Sequence, residues 1–140
     1  MNSFFVLNKS QQISTTEHYA GYVIFYKKSE EESVAQIQTN LYTKLIENAL
    51  KLKLDNFLFI DVSKQKERFS ELKKSVAIEK CFLFGVNEKE VGINFDIPLY
   101  QLTTITSIEF LKVDAPEILE VDKKLKNLLW TQLQISFKLH

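Results

Sequence analysis

Two short apolar runs, Phe57-Leu58-Phe59-Ile60-Asp61-Val62 and Cys81-Phe82-Leu83-Phe84-Gly85-Val86, limit the possible folds of this chain more than any other feature. A run of this length, nearly without polar alternation, fits a strand buried on both faces. Such a strand needs covering on each side. The turn-like pair Asp55-Asn56 opens the first run, and Lys80 opens the second.

The segments around these runs have helical periodicity. Ser29-Glu30-Glu31-Glu32 reads as a capping box. Val34, Ile37, Leu41, Leu45, Ala49 and Leu52 then recur every three or four residues, which predicts a helix ending near Lys53. Residues 66–76 read as a second helix with Phe69, Leu72 and Val76 on one side. Asn87-Glu88-Lys89-Glu90 repeats the capping box, and Gly92 stops the short helix it starts. Residues 99–102 and 108–113 read as two further strands, with 103–107 between them. Asp114-Ala115-Pro116-Glu117 starts a long final helix, with Asp114 as its cap. Its apolar face is expected at Ile118, Val121, Leu125, Leu128 and Ile135. Trp130 then falls on the far side and needs a second surface to cover it, supplied either by Tyr22 or Phe25 or by a partner.

Alternating helices and buried strands predict an α/β fold. We expect a three-layer α/β/α sandwich around a small, mostly parallel sheet of about four strands. Residues 1–28 are expected to be an N-terminal tail plus a strand-like segment, Tyr22-Val23-Ile24-Phe25-Tyr26, and residues 29–140 a single α/β domain. Whether the strand-like segment joins the sheet or lies over the domain is open at this stage.

With 18 basic and 18 acidic residues the formal net charge is zero, which argues against a broad phosphate-binding surface. Lys64, Lys66, Arg68, Lys73 and Lys74 cluster, but Glu67 and Glu71 interrupt them, so they read as a solvated helix face. Cys81 is the only cysteine and reads as a buried small hydrophobe. The run Phe4-Phe5-Val6-Leu7 is too short for the core of a signal peptide, and no apolar stretch approaches the roughly 20 residues of a membrane span. The expected location is cytoplasmic, with no membrane partner.

No catalytic set emerges from the sequence. Ligands in such sheets bind beyond the carboxyl ends of the strands. The candidates there are Asp61, Ser63, Asn87 and Asp114, forming a strand-end crevice. Three glycines in the whole chain do not assemble a dinucleotide fingerprint or a P-loop. No acidic cluster beside Asp61 would hold Mg²⁺. His18 and His140 lie in expected tails, so neither a metal site nor an oriented catalytic pair is expected, and no cofactor.

Several segments carry a family resemblance. They are the helix over residues 41–52, the strand over 57–62, Phe82-Leu83-Phe84-Gly85-Val86 with its short helix to Gly92, Ile97-Pro98-Leu99-Tyr100, and residues 123–130. Over residues 41–137 the chain resembles small bacterial proteins similar to the psi subunit of DNA polymerase III, which have a reduced uracil-DNA glycosylase-like fold. A working glycosylase carries a water-activating Asp or Asn in a glycine- and proline-containing loop after its first core strand. It also carries a His-Pro-Ser type loop after its last. Here those places hold Asp61-Val62-Ser63-Lys64 and Val113-Asp114-Ala115-Pro116, without the glycine, proline and histidine of the pattern. The resemblance therefore implies a non-enzymatic adaptor in the clamp-loader assembly, with clamp-loader or other replisome subunits as partners. Psi-type subunits use an N-terminal segment for one contact. The candidate partner-binding residues are Phe4, Phe5, Tyr22, Phe25 and Trp130. Direct nucleic-acid binding is expected to be weak or absent. The alternative is a divergent glycosylase-like or nucleotide-binding enzyme that uses the crevice near Asp61.

Overall fold

A computed structural model describes residues 15–64 and 68–138. Five strands form one sheet: β1 (Tyr22–Tyr26), β2 (Phe57–Asp61), β3 (Lys80–Phe84), β4 (Thr103–Ile105) and β5 (Ile108–Val113). Their order is β2-β1-β3-β5-β4, all parallel except the antiparallel β4–β5 pair. The sequence expectation of about four strands is one short. The added strand is the Tyr22–Tyr26 segment, which lies in the sheet between β2 and β3 rather than over the domain. The division at residue 28 therefore cuts through the α/β unit, because β1 supplies its middle.

The chain order explains the layers. From β1 the chain passes leftward to β2 through α1 (Glu32–Thr43), which continues into a π-helical turn over Lys44–Ala49. It then reverses over β1 to β3 through α2 (Phe69–Ser75). Right-handed crossovers in opposite directions put their helices on opposite faces. One face of the sheet buries Ile24, Phe57, Phe82, Phe84, Leu111 and Val113 under Leu41, Tyr42, Leu45, Leu119, Leu129 and Leu133. The other buries Val23, Phe25, Ile60, Cys81, Leu83 and Phe110 under Phe69, Leu72, Val91, Ile93 and Ile97. Side chains alternate between the two, as the pleat of a strand requires. Cys81 is fully buried in the second layer, and burial pushes its thiol pKa upward.

Three local expectations fail, each for a physical reason. Residues 99–102 make only one bridge, Leu99 to Lys112, and the strand lies at Thr103–Ile105 instead. Its hairpin to β5 turns at Thr106 and Ser107, both with positive φ (50° and 70°). A two-residue hairpin turn needs this geometry, but normally advertises it with Asn or Gly. Ser29 does not cap α1: its hydroxyl accepts from the Glu31 N–H, and the helix starts at Glu32.

The last helix is two helices, α3 (Pro116–Val121) and α4 (Lys123–Ser136). Asp122 leaves the helical conformation, and its carboxylate accepts from the Leu125 N–H as the cap of α4. One continuous helical wheel therefore does not apply. Leu119, Leu129 and Leu133 are the buried leucines of the pair, while Ile118, Val121, Leu128 and Ile135 stand exposed. The expected core face is thus largely the outer face.

This inversion has a measurable consequence. Phe25→Ala should lose about 4 kcal/mol of stability, the scale of emptying a packed aromatic site. Ile135→Ala should stay within about 0.5 kcal/mol of the parent. Urea unfolding checks both, and comparable losses would restore the expected face.

Candidate functional site

The chain reverses its direction of travel at β1, so the crevice to inspect lies at the carboxyl ends of β1 and β3. The space there is about 290 Å³ and opens broadly to solvent between the β3 and β5 ends. Lys27, Asn87, Glu90, Lys112 and Asp114 bring polar groups to its wall. Asn87 and Asp114 are thus brought together as expected. Asp61 and Ser63 are not on that wall, because β2 lies on the far side of β1. Two strand spacings, roughly 10 Å, separate the β2 end from the β3 end.

Every polar side chain on this wall is engaged by another part of the chain. Asn87 Oδ1 accepts from the Glu90 N–H at 3.1 Å, and Glu90 Oε1 accepts from the Asn87 N–H at 3.0 Å. This is the expected capping box, at the head of a 3₁₀ turn over Glu88–Val91. The Lys27 ammonium meets Glu90 Oε2 at 2.5 Å. Lys112 Nζ donates to both carboxylate oxygens of Glu88, at 3.1 and 3.0 Å, and Glu88 also accepts from the Ile97 N–H. Asp114 does not cap the last helix. Its Oδ2 accepts from the Tyr100 hydroxyl at 2.6 Å, and its own N–H donates back to that oxygen at 3.3 Å. Ala115 therefore holds the cap position of α3, without a side-chain bond.

The floor of the crevice is closed by backbone. Gly85 has a φ of +69°, and a β-carbon there would lie 2.8 Å from the Ala115 β-carbon. The Gly85 N–H donates to the Val113 carbonyl at 2.9 Å. Only a residue without a side chain lets the β3 and β5 exits approach this closely. Gln38 ties the third exit down: its Nε2 donates to the Lys27 carbonyl at 2.9 Å and to Glu117 Oε1 at 3.3 Å, and its Oε1 accepts from the Ser29 N–H.

Asp61 is likewise committed. Its Oδ1 accepts from the Ser63 hydroxyl at 2.6 Å, the Ser63 N–H at 3.0 Å and the Lys28 N–H at 3.1 Å. Burial works to raise its pKa, but these donors outweigh it and hold the carboxyl below its usual range. Among the described residues no histidine lies within reach. Asn56 donates to the His18 carbonyl, which places His18 at the amino end of β2, about 16 Å along the strand from Asp61. His140 lies outside the described residues. Among the described residues no group of three His, Cys, Asp or Glu side chains could hold a metal ion.

The candidate partner-binding residues scatter. Phe25 has no exposed surface. It cannot anchor a partner, nor can it cover Trp130, because it points to the opposite face. Tyr22 is half-buried, with its ring 5.1 Å from both Phe57 and Phe137. Trp130 is half-buried against the same layer as Tyr22. Phe4 and Phe5 lie outside the described residues. Sequence reasoning overlooked Gln38, Glu88, Tyr100 and Lys112. The available signal was a lysine inside the apolar stretch Ile108–Val113, since a charge there needs a buried partner.

No family model, curated protein or solved structure matches the chain. No helix among the described residues is long and apolar enough to cross a membrane.

The strand-end carboxylates carry a pH dependence with a definite sign. For Glu88, burial acts upward, but the Ile97 N–H and Lys112 win and leave the carboxyl below its ordinary 4.5. Glu90 shifts the same way: burial opposes, and Lys27 and the Asn87 N–H prevail. A carboxyl whose folded value is depressed stabilises the fold above the unfolded value and loses that stabilisation as pH falls through the folded value. Urea-unfolding stability should thus be level above about pH 5 and fall below about pH 4.5. Glu88→Gln should cost about 3 kcal/mol at pH 7 by leaving Lys112 without its partner. It should also flatten the acid limb. An acid limb as steep as the parent's would show that Glu88 does not contribute to it.

Proposed function

We propose that this chain is a non-enzymatic protein–protein adaptor, of the psi-like kind implied by the family resemblance, serving a clamp-loader or other replisome assembly. The observation that carries the reading is the distribution of exposed apolar side chains. Ile118, Val121, Leu128 and Ile135 all lie on α3 and α4, and among the described residues only Leu99 is a comparably exposed large apolar residue elsewhere. Scattered exposed apolar side chains are ordinary, whereas their concentration on one element pair is the mark of an interaction surface.

The strand-end wall supports the non-catalytic half of the reading. An acid–base site needs lone pairs and protons free to meet a substrate. Asn87, Glu90, Lys112 and Asp114 spend theirs on one another and on the loops they fasten. The candidate partner surface accordingly moves from Tyr22, Phe25 and Trp130 to the outer side of α3 and α4.

Two experiments test this reading. Uracil-containing DNA incubated with the protein should release no base, and release that disappears in Asp61→Asn would establish the glycosylase-like alternative. A photo-cross-linking residue at Thr131, used in the native cell, should capture a replisome subunit identifiable by mass spectrometry. Leu128→Glu with Ile135→Glu should abolish that capture while the thermal midpoint stays within about 2 °C, as expected for exposed positions. Capture indifferent to the double substitution, or no capture at all, would contradict the adaptor reading.

A further inference from the structure

The outward side of α4 combines apolar side chains with lysines that form no ion pair among the described residues. Lys124, Leu128, Thr131 and Ile135 follow at spacings of four, three and four, so they form one strip along the helix. Leu128 is 42% exposed and Ile135 59%. Lys123 and Lys124 flank the strip at its start, both exposed and without an ion-pair partner among the described residues. The fourteen residues of α4 contain no Asp or Glu.

The first turn of α4 behind its Asp122 cap is also rich in cations. It reads Lys123-Lys124-Leu125-Lys126, which sets cations against the positive end of the helix dipole. Only Lys126 has a described counter-charge, Glu120, at 3.6 Å. The capping Asp122 carboxylate and Glu120 answer part of this charge, while Lys123 and Lys124 remain without an ion pair among the described residues.

Several occupants can be weighed against these features. A four-three-four strip is the spacing against which a second helix packs. A second copy of α4 would bring lysines against lysines, which disfavours self-pairing. A bilayer needs more apolar surface than two side chains about 10 Å apart with a threonine between them, since even a whole myristoyl chain anchors only marginally. We propose that α4 docks an amphipathic helix of the partner whose apolar stripe is bordered by carboxylates. This rests on the adaptor reading and names the chemistry of its partner. Leu128 and Ile135 would supply the dry centre, while Lys123 and Lys124 at the rim would set approach and register.

The test uses the full chain, isotope-labelled for NMR, and a synthetic helix of about 21 residues with Leu at heptad positions a and d and Glu at e and g. Repulsion between its own glutamates discourages the peptide from pairing with itself. A control peptide carries Lys in place of Glu. The acidic peptide should bind at least tenfold tighter than the control, with shifts confined to residues 118–138. Ile135→Glu should weaken acidic-peptide binding at least tenfold with its thermal midpoint unchanged. Equal binding of the two peptides, shifts centred elsewhere, or binding only to phosphatidylserine vesicles would overturn the inference. Partner capture at Thr131 in the cell with no binding of the acidic peptide would defeat this inference and leave the adaptor reading standing. The absence of any capture would defeat the adaptor reading itself.

Discussion

Val23, Ile24 and Phe25 have almost no contact with solvent, because β1 has a strand on either side and packed side chains above and below. The remainder of the structure follows from that position. Pairing in register with both β2 and β3 satisfies the β1 backbone on its two edges. Reversal of the chain across β1 then sends α1 and α2 to opposite faces and completes the layers. A substitution in β1 disturbs two strand pairings and two cores together, whereas one in β4 touches a three-residue edge strand.

The same reversal creates the place where an α/β sheet usually holds a ligand, and here the polar side chains of its wall are bonded to other parts of the chain. Gly85 and Ala115 close together, Gln38 holds the Lys27–Ser29 exit, and Glu88 with Lys112 fastens the segment around Ile97. Buried polar groups are tolerated only when partnered, and these are. Their geometry reads as a scaffold that rigidifies the loops. Among the described residues the exposed large apolar side chains other than Leu99 lie on α3 and α4 instead.

Much of the fold was legible in the sequence because local signals and tertiary packing agreed. The runs at β2 and β3 are apolar apart from Asp61 and Lys80 at their ends, so no choice of face had to be made. The Asn87 capping box is local chemistry and held in the structure. The failures occur where tertiary context decides. The β1 segment resembles any aromatic strand, and nothing within it announces that it is central. The α4 sequence has apolar residues on two sides, Leu129 and Leu133 on one and Leu128 and Ile135 on the other, so periodicity alone could not assign the core face. The break at Asp122 then removed the support that Ile118 and Val121 lent to the wrong side. The strand-end candidates were correctly placed near strand ends, but sequence could not reveal that Tyr100 would claim Asp114 or that Asp61 would fold back on Ser63.

We propose that the fold divides its labour: strand-end side chains held by internal bonds, and a helical face that receives a partner. Hydrogen–deuterium exchange of the chain alone and with the partner captured through α4 separates the two faces. New protection is expected over residues 116–138, with unchanged exchange in the exits at 27–30, 61–64 and 85–92. Protection centred on those exits, with α4 unaffected, would contradict that division.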